Sequence, residues 1–186
     1  MVAETFATVV EGRIARYVSS PLTTGWLFID WRGSNSAPDP GDVAYAEAFR
    51  RAVVEPNRDN TRTFVARLRA ECTDIVIDPT SLPNLSVWTQ EDYRSLWGEV
   101  IGRYVRLVVF RNGWEFSDGC TYEFFVAAGQ GVLMAHEDIS PMGEEEGIRL
   151  IRAAIDWKRA NGVSAEFALA VLAAMRPENT ERSVRP

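Results

Sequence analysis

The stretch Leu107-Val108-Val109-Phe110-Arg111-Asn112-Gly113 decides the fold class. Four consecutive apolar residues leave no polar face, so they suit a strand covered on both sides, and Asn112-Gly113 turns the chain at its end. Such strands belong to parallel sheets wrapped by helices. The flanking sequence supplies the helices. Upstream, Thr89 to Gly102 is read as a helix, with Thr89 as cap and Asp92 three residues on, the pattern of a capping box. Downstream, Cys120 to Ala128 reads as a helix and Val132 to Ala135 as a short strand. A long helix is expected from Glu144 to Asn161, closed by Gly162, and a last one from Ala165 to Met175.

Toward the N-terminus, Ile75-Val76-Ile77 is a β-branched strand ending at Asp78-Pro79. A helix from about Asn60 to Cys72 feeds it through Phe64, Val65 and Leu68. Arg13 to Ser19 reads as the first strand, stopped by Pro21. Ser34 to Asp42 is rich in Ser, Pro, Gly and Asp and reads as a surface loop. Asp42 to Val54 is expected as a helix capped by Asp42, with Trp26, Trp31 and Trp88 near loops. Strands alternating with helices predict an α/β domain of Rossmann-like, flavodoxin-like type, a parallel sheet flanked by helices. One domain is expected over residues 1–186, with a core at about 13–162 and a polar tail over 176–186.

Composition bounds the function. A chain of 186 residues, 46% of them apolar, can bury one core. A net charge of -6 repels a phosphate backbone, so nucleic acid is not an expected partner. No apolar run approaches the ~20 residues needed to cross a bilayer, and the N-terminus does not read as a signal peptide. Cys72 and Cys120 read as reduced thiols, which fits a cytoplasmic protein.

Function in such folds sits at the carboxyl ends of the strands. Three loops there carry chemistry: Ser19 to Gly25, Asn112 to Glu123, and Glu137 to Gly143. The first offers Ser19, Ser20, Thr23 and Gly25, hydroxyls and backbone N–H groups suited to a phosphate. In the second, Glu115, Ser117, Asp118 and Glu123 surround Gly119 at a strand-to-helix turn. The positive end of a helix favours an ionised carboxylate, yet the same residues suit an acidic helix start. His136, the sole histidine, reads as a solvated strand end, and Glu144, Glu145 and Glu146 as the start of a helix, so neither a triad nor a metal site is expected. Trp114 is the tryptophan placed nearest a ligand.

Gly113-Trp114-Glu115, Ser117-Asp118-Gly119 and Tyr122-Glu123, after Leu107 to Phe110, resemble the Ser-x-Gly-x-x-x-Glu pattern of the nucleoside 2-deoxyribosyltransferase-like superfamily. Tyr17-Val18-Ser19-Ser20-Pro21-Leu22 resembles its first strand and phosphate loop. The likeness runs from about residue 13 to 162, and residues 26 to 58 fit it poorly. It implies that Glu123 attacks the anomeric carbon and forms a covalent glycosyl-enzyme. It implies that Ser117, a serine where transferases on free nucleosides have aspartate, binds a 5'-phosphate. Tyr17 would line the sugar and base pocket. Ser140-Pro141-Met142 resembles an element that one subunit extends into its neighbour's site, implying a homodimer with a shared site.

The family's aspartate that serves the departing base aligns here with Trp97 and Gly98. Asp118 or Glu99 is expected to replace it, Asp118 being the nearer in sequence to Glu123. Phe124 stands where a small residue is common, which predicts a narrower pocket or a displaced helix. The expected activity is N-glycosidic cleavage of a nucleoside 5'-monophosphate, with deoxyribosyl transfer as a variant and no cofactor. A nucleotide-binding sensor without catalysis, and an N-glycosidase acting on a dinucleotide such as nicotinamide adenine dinucleotide, stand as alternatives.

Overall fold

The computed structural model describes Thr8, Val10 and residues 14–34, 37–82 and 86–175. The expected strand at Arg13 and the polar tail from Arg176 fall partly or wholly outside them. Four strands, β1 (Ala15–Ser19), β2 (Ile75–Ile77), β3 (Val105–Phe110) and β4 (Leu133–Ala135), form one sheet in the order β2-β1-β3-β4. Every pairing is parallel, with Tyr17 beside Ile77 on one side and Val108 on the other. From β1 the chain crosses to β2 and then returns past β1 to β3. The reversal leaves a crevice at the carboxyl ends of β1 and β3, where ligands bind in open α/β sheets.

The helices are α1 (Trp26–Gly33), α2 (Tyr45–Phe49), α3 (Glu55–Glu71), α4 (Gln90–Tyr104), α5 (Asp118–Gly129), α6 (Glu144–Ala160) and α7 (Glu166–Ala174). Side chains alternate across a strand, and the core divides accordingly. Val18, Val76 and Val109 pack with Phe64, Val65 and Leu68 of α3. On the other face, Tyr17, Ile77, Val108 and Phe110 join Trp97 and Val100 of α4, Phe124 of α5 and Ile151 of α6. The Thr89 and Asp92 box caps α4 as its sequence predicts.

Two helical readings differ from the structure. Trp26 and Trp31 lie within α1 and not near loops. Their aromatic neighbours give the reason: Trp26 packs edge-on to Phe116, with ring centres 5.1 Å apart, and Trp31 lies against Tyr45 and Phe49. Helical backbone also continues where a break was expected between Val54 and Asn60. A π turn at Arg50–Val54 joins α2 to α3 just ahead of Pro56. Proline lacks the N–H of a helical bond and crowds the preceding turn, and a π turn is one way to accommodate it. Among the described residues, no helix is long and apolar enough to cross a membrane.

Candidate functional site

Glu123 stands in the second turn of α5 and is 8% exposed. The two-residue period of β1 places Tyr17 and Ser19 on the sheet face that α5 covers. The Tyr17 hydroxyl donates to Glu123 Oε1 at 2.6 Å, and Ser19 Oγ donates to Oε2 at 2.6 Å. Each carboxyl oxygen therefore has its own donor. Burial pushes the Glu123 carboxyl up to about 7, against the opposing pull of Ser19 and Tyr17. Burial, followed by the Glu123 charge, also pushes the Tyr17 phenol well above its ordinary value, so it remains a donor. The same causes push the Cys120 thiol up, which keeps it from acting as a thiolate.

Glu123 lines a cavity of about 810 Å³ at the carboxyl edge of the sheet. Ser20, Thr23, Ser117, Asp118 and Gly119 share its wall with Glu123. Ser117 caps α5, its Oγ accepting from Cys120 N at 3.4 Å. That leaves its hydrogen free to donate. The loop after β1 is held to α3, because Asn57 Nδ2 donates to the carbonyls of Leu22 and Thr24 at 3.0 Å each. Ser20 Oγ also lies 2.6 Å from Thr61 Oγ1.

Two glycines make this edge. Gly25 caps α1 at φ 79 and ψ -169, a conformation essentially confined to glycine, and a Cβ there would fall 2.9 Å from Pro21 Cγ. At Gly113, φ is 82 and a Cβ would meet the backbone of Trp26 at 3.0 Å and Gly25 Cα at 3.1 Å. The loops after β1 and β3 thus touch backbone to backbone.

Several expected site residues lie elsewhere. Tyr17 does not reach the wall of the pocket; it is fully buried behind Glu123, as is Ser19. Trp114, expected near a ligand, is 2% exposed and packs between Phe110 and Phe124 at 4.6 and 5.1 Å. The glycine before it turns the ring inward. Glu99 pairs with Arg103 at 2.8 Å and does not line the cavity, because its place on α4 points along the flank. Ser140 is exposed and donates its backbone N–H to Asp138 Oδ1 at 2.9 Å, while Met142 is buried in this chain's own core.

Phe124 does not narrow the pocket. Its fully buried ring rests on Gly147 of α6, where a Cβ would fall 2.1 Å from the ring, so the glycine absorbs its bulk. At Gly98, one of the two positions that the sequence resemblance aligns with an aspartate, a Cβ would come within 2.9 Å of the Tyr122 hydroxyl, which takes up that space. Asp118 does share the cavity with Glu123, but its Oδ1 accepts from Lys158 Nζ at 3.0 Å. Lys158 is only 5% exposed, and it carries the hydrogens of the pair.

Arg58, Arg94 and Lys158 line the cavity and were absent from the sequence reading. The spacing Gln90, Tyr93, Arg94, Trp97 puts all four on one face of α4 and could have signalled Arg94. Arg58 belongs to a turn of α3 read as preceding the helix. Lys158 sits in the last turn of α6, where a cation is ordinarily explained by the helix dipole. Comparison with protein-family models, curated proteins and solved structures finds no match to the chain.

Proposed function

We propose that the chain cleaves the N-glycosidic bond of a nucleoside 5'-monophosphate through a glycosyl ester on Glu123. The observation that carries the reading is Glu123 itself, a buried carboxylate on the wall of a cavity with each oxygen fixed by one hydroxyl. The phosphate lies against Ser20 and Thr23, on a loop that Asn57 holds in shape, and against Ser117 at the start of α5. Glu123 attacks the anomeric carbon, the carbon–nitrogen bond breaks, and its electron pair leaves with the base. The departing base takes a proton at the Asp118 and Lys158 pair. Water then attacks the same carbon, its proton returning to the Asp118 and Lys158 pair, the ester bond to Glu123 breaks, and the sugar phosphate leaves with the carboxylate restored; an acceptor base in place of water gives transfer.

A binding-only protein is the second reading. It draws on the engagement of Asp118 by Lys158, which leaves Glu123 as the cavity carboxylate without a cationic partner among the described residues. Incubation with a panel of nucleoside 5'-monophosphates, following free base, separates the two. Base release by the wild type and none by Glu123→Ala is expected. Release by the variant at the wild-type rate removes Glu123 as nucleophile, and ligand binding without any release leaves the binding-only reading.

A further inference from the structure

Arg58 and Arg94 enter the cavity from opposite sides of the sheet. Arg58 is on α3, whose Phe64, Val65 and Leu68 cover one face, and Arg94 on α4, whose Trp97 and Val100 cover the other. Neither guanidinium has a carboxylate partner among the described residues. Arg58 Nε is shielded from solvent and has no hydrogen-bond partner. Arg94 lies 4.5 Å above the Phe167 ring, a contact that fixes the guanidinium plane without neutralising its charge. The chain holds 26 acidic residues against 20 Lys and Arg, and most arginines of α2 to α4 other than these two find a carboxylate. The third cation of the cavity, Lys158, is already neutralised by Asp118.

We propose that the cavity takes a ligand with two separate anionic groups, one held by Arg58 and the other by Arg94. A partly desolvated guanidinium without a counter-ion is unfavourable, and a bound carboxylate or phosphate offsets it with charge-assisted hydrogen bonds. A ligand with one anionic end satisfies one arginine and leaves the other bare. At about 810 Å³ the cavity lies in the upper part of the range of small-molecule sites, so it has room for a ligand spanning both. Trp97 and Tyr93 line the wall beside Arg94 and suit a flat ring there. The second anion is either a carboxylate on the base or a further phosphate on the sugar. The choice of nucleotide probes rests on the proposed function; the two-anion requirement does not depend on cleavage.

Calorimetry on the full chain tests it with two ligand pairs. Uridine 5'-monophosphate is compared with orotidine 5'-monophosphate, which adds a base carboxylate, and adenosine 5'-monophosphate with adenosine 3',5'-bisphosphate, which adds a sugar phosphate. In at least one pair the two-anion member should bind about tenfold tighter. The pair that responds identifies the source. In Arg94→Gln the affinity ratio should collapse to about one, with partial recovery in Arg94→Lys. Arg58 follows Asn57, which holds the loop after β1, so the 5'-phosphate common to all four ligands is assigned to Arg58. In Arg58→Gln every affinity should fall and the ratio persist. Should Arg94→Gln melt early, the salt dependence of the wild-type ratio substitutes, since a screened charge contact shrinks the ratio as salt rises. A ratio near one in both wild-type pairs, or one that Arg94→Gln or salt leaves unchanged, overturns the inference. In that event, monophosphates that still outbind their nucleosides leave the proposed function standing; no binding by any of the four ligands defeats both.

Discussion

Replacing Glu123 by Gln should make the protein more stable at neutral pH. Glutamine keeps the shape of the carboxyl, with its carbonyl oxygen as acceptor and its amide N–H groups as donors toward the hydroxyls of Tyr17 and Ser19. It removes the charge that burial disfavours. Raising a carboxyl from its ordinary 4.5 to about 7 corresponds, at about 1.4 kcal/mol per tenfold change in acidity, to a ceiling of about 3 kcal/mol. Because the folded protein holds this proton more tightly than the unfolded chain, the wild type has its full share of stability below about pH 4.5 and loses it as the pH rises through about 7. The variant has nothing to lose over that window. For a chain of this size, about 2 to 4 °C per kcal/mol predicts a melting temperature higher by up to about 10 °C at pH 7.5. At pH 5 the gap should nearly close. Thermal melts of both proteins across this range decide it. A variant no more stable than the wild type at pH 7.5, or a gap that persists unchanged at pH 5, would refute the account of a carboxylate charged against its surroundings.

Catalysis should follow the same carboxyl. Base release, measured as kcat/KM, should rise along a limb centred near pH 7 as Glu123 ionises, and a rate already flat from pH 5 would contradict nucleophilic attack by this group. Tyr17→Phe removes a donor to the charged form and should move that limb up by about one pH unit; a coincident profile would deny Tyr17 this role. Gly147→Ala should destabilise by about 2 kcal/mol despite a better helix former, because the added methyl falls inside the buried Phe124 ring, and denaturant titration checks it. Asn57→Ala frees the carbonyls of Leu22 and Thr24 and should weaken monophosphate binding about fivefold by calorimetry, with an unchanged affinity counting against the loop as a phosphate cradle.

The sheet was legible in sequence because its strands are short and largely apolar, and the first three are followed by strong punctuation. Pro21, Asp78-Pro79 and Asn112-Gly113 end β1, β2 and β3 where local chemistry alone would end them. Helix α1 was missed because Trp26 to Gly33 mixes aromatic and polar residues without a clear stripe, and none of its side chains is fully buried. The helices read as Asp42 to Val54 and Asn60 to Cys72 are continuous in backbone, because a π turn carries the chain into Pro56 without a break. Glu123 was found through its place in a motif; its two hydroxyl partners depend on strand register 104 and 106 residues away. Trp114 was misplaced because nothing local distinguishes an aromatic facing a ligand from one that closes a core. The same long-range dependence hid Arg58 and Lys158, whose roles exist only once α3 and α6 converge on the crevice.

The seating of Gly113 against Gly25 has a further consequence. It seats the rim after β1 directly on the rim after β3, so an outward shift of either would open that contact. Rims that must fold over a guest surrender freedom when they do so, whereas a rim already fixed surrenders little and behaves as a preformed mould. The same contact makes the mould fragile. A single methyl at Gly113 would press on the backbone of Gly25 and Trp26 and drive the two rims apart, carrying Ser20 away from Ser117 with every polar atom still present.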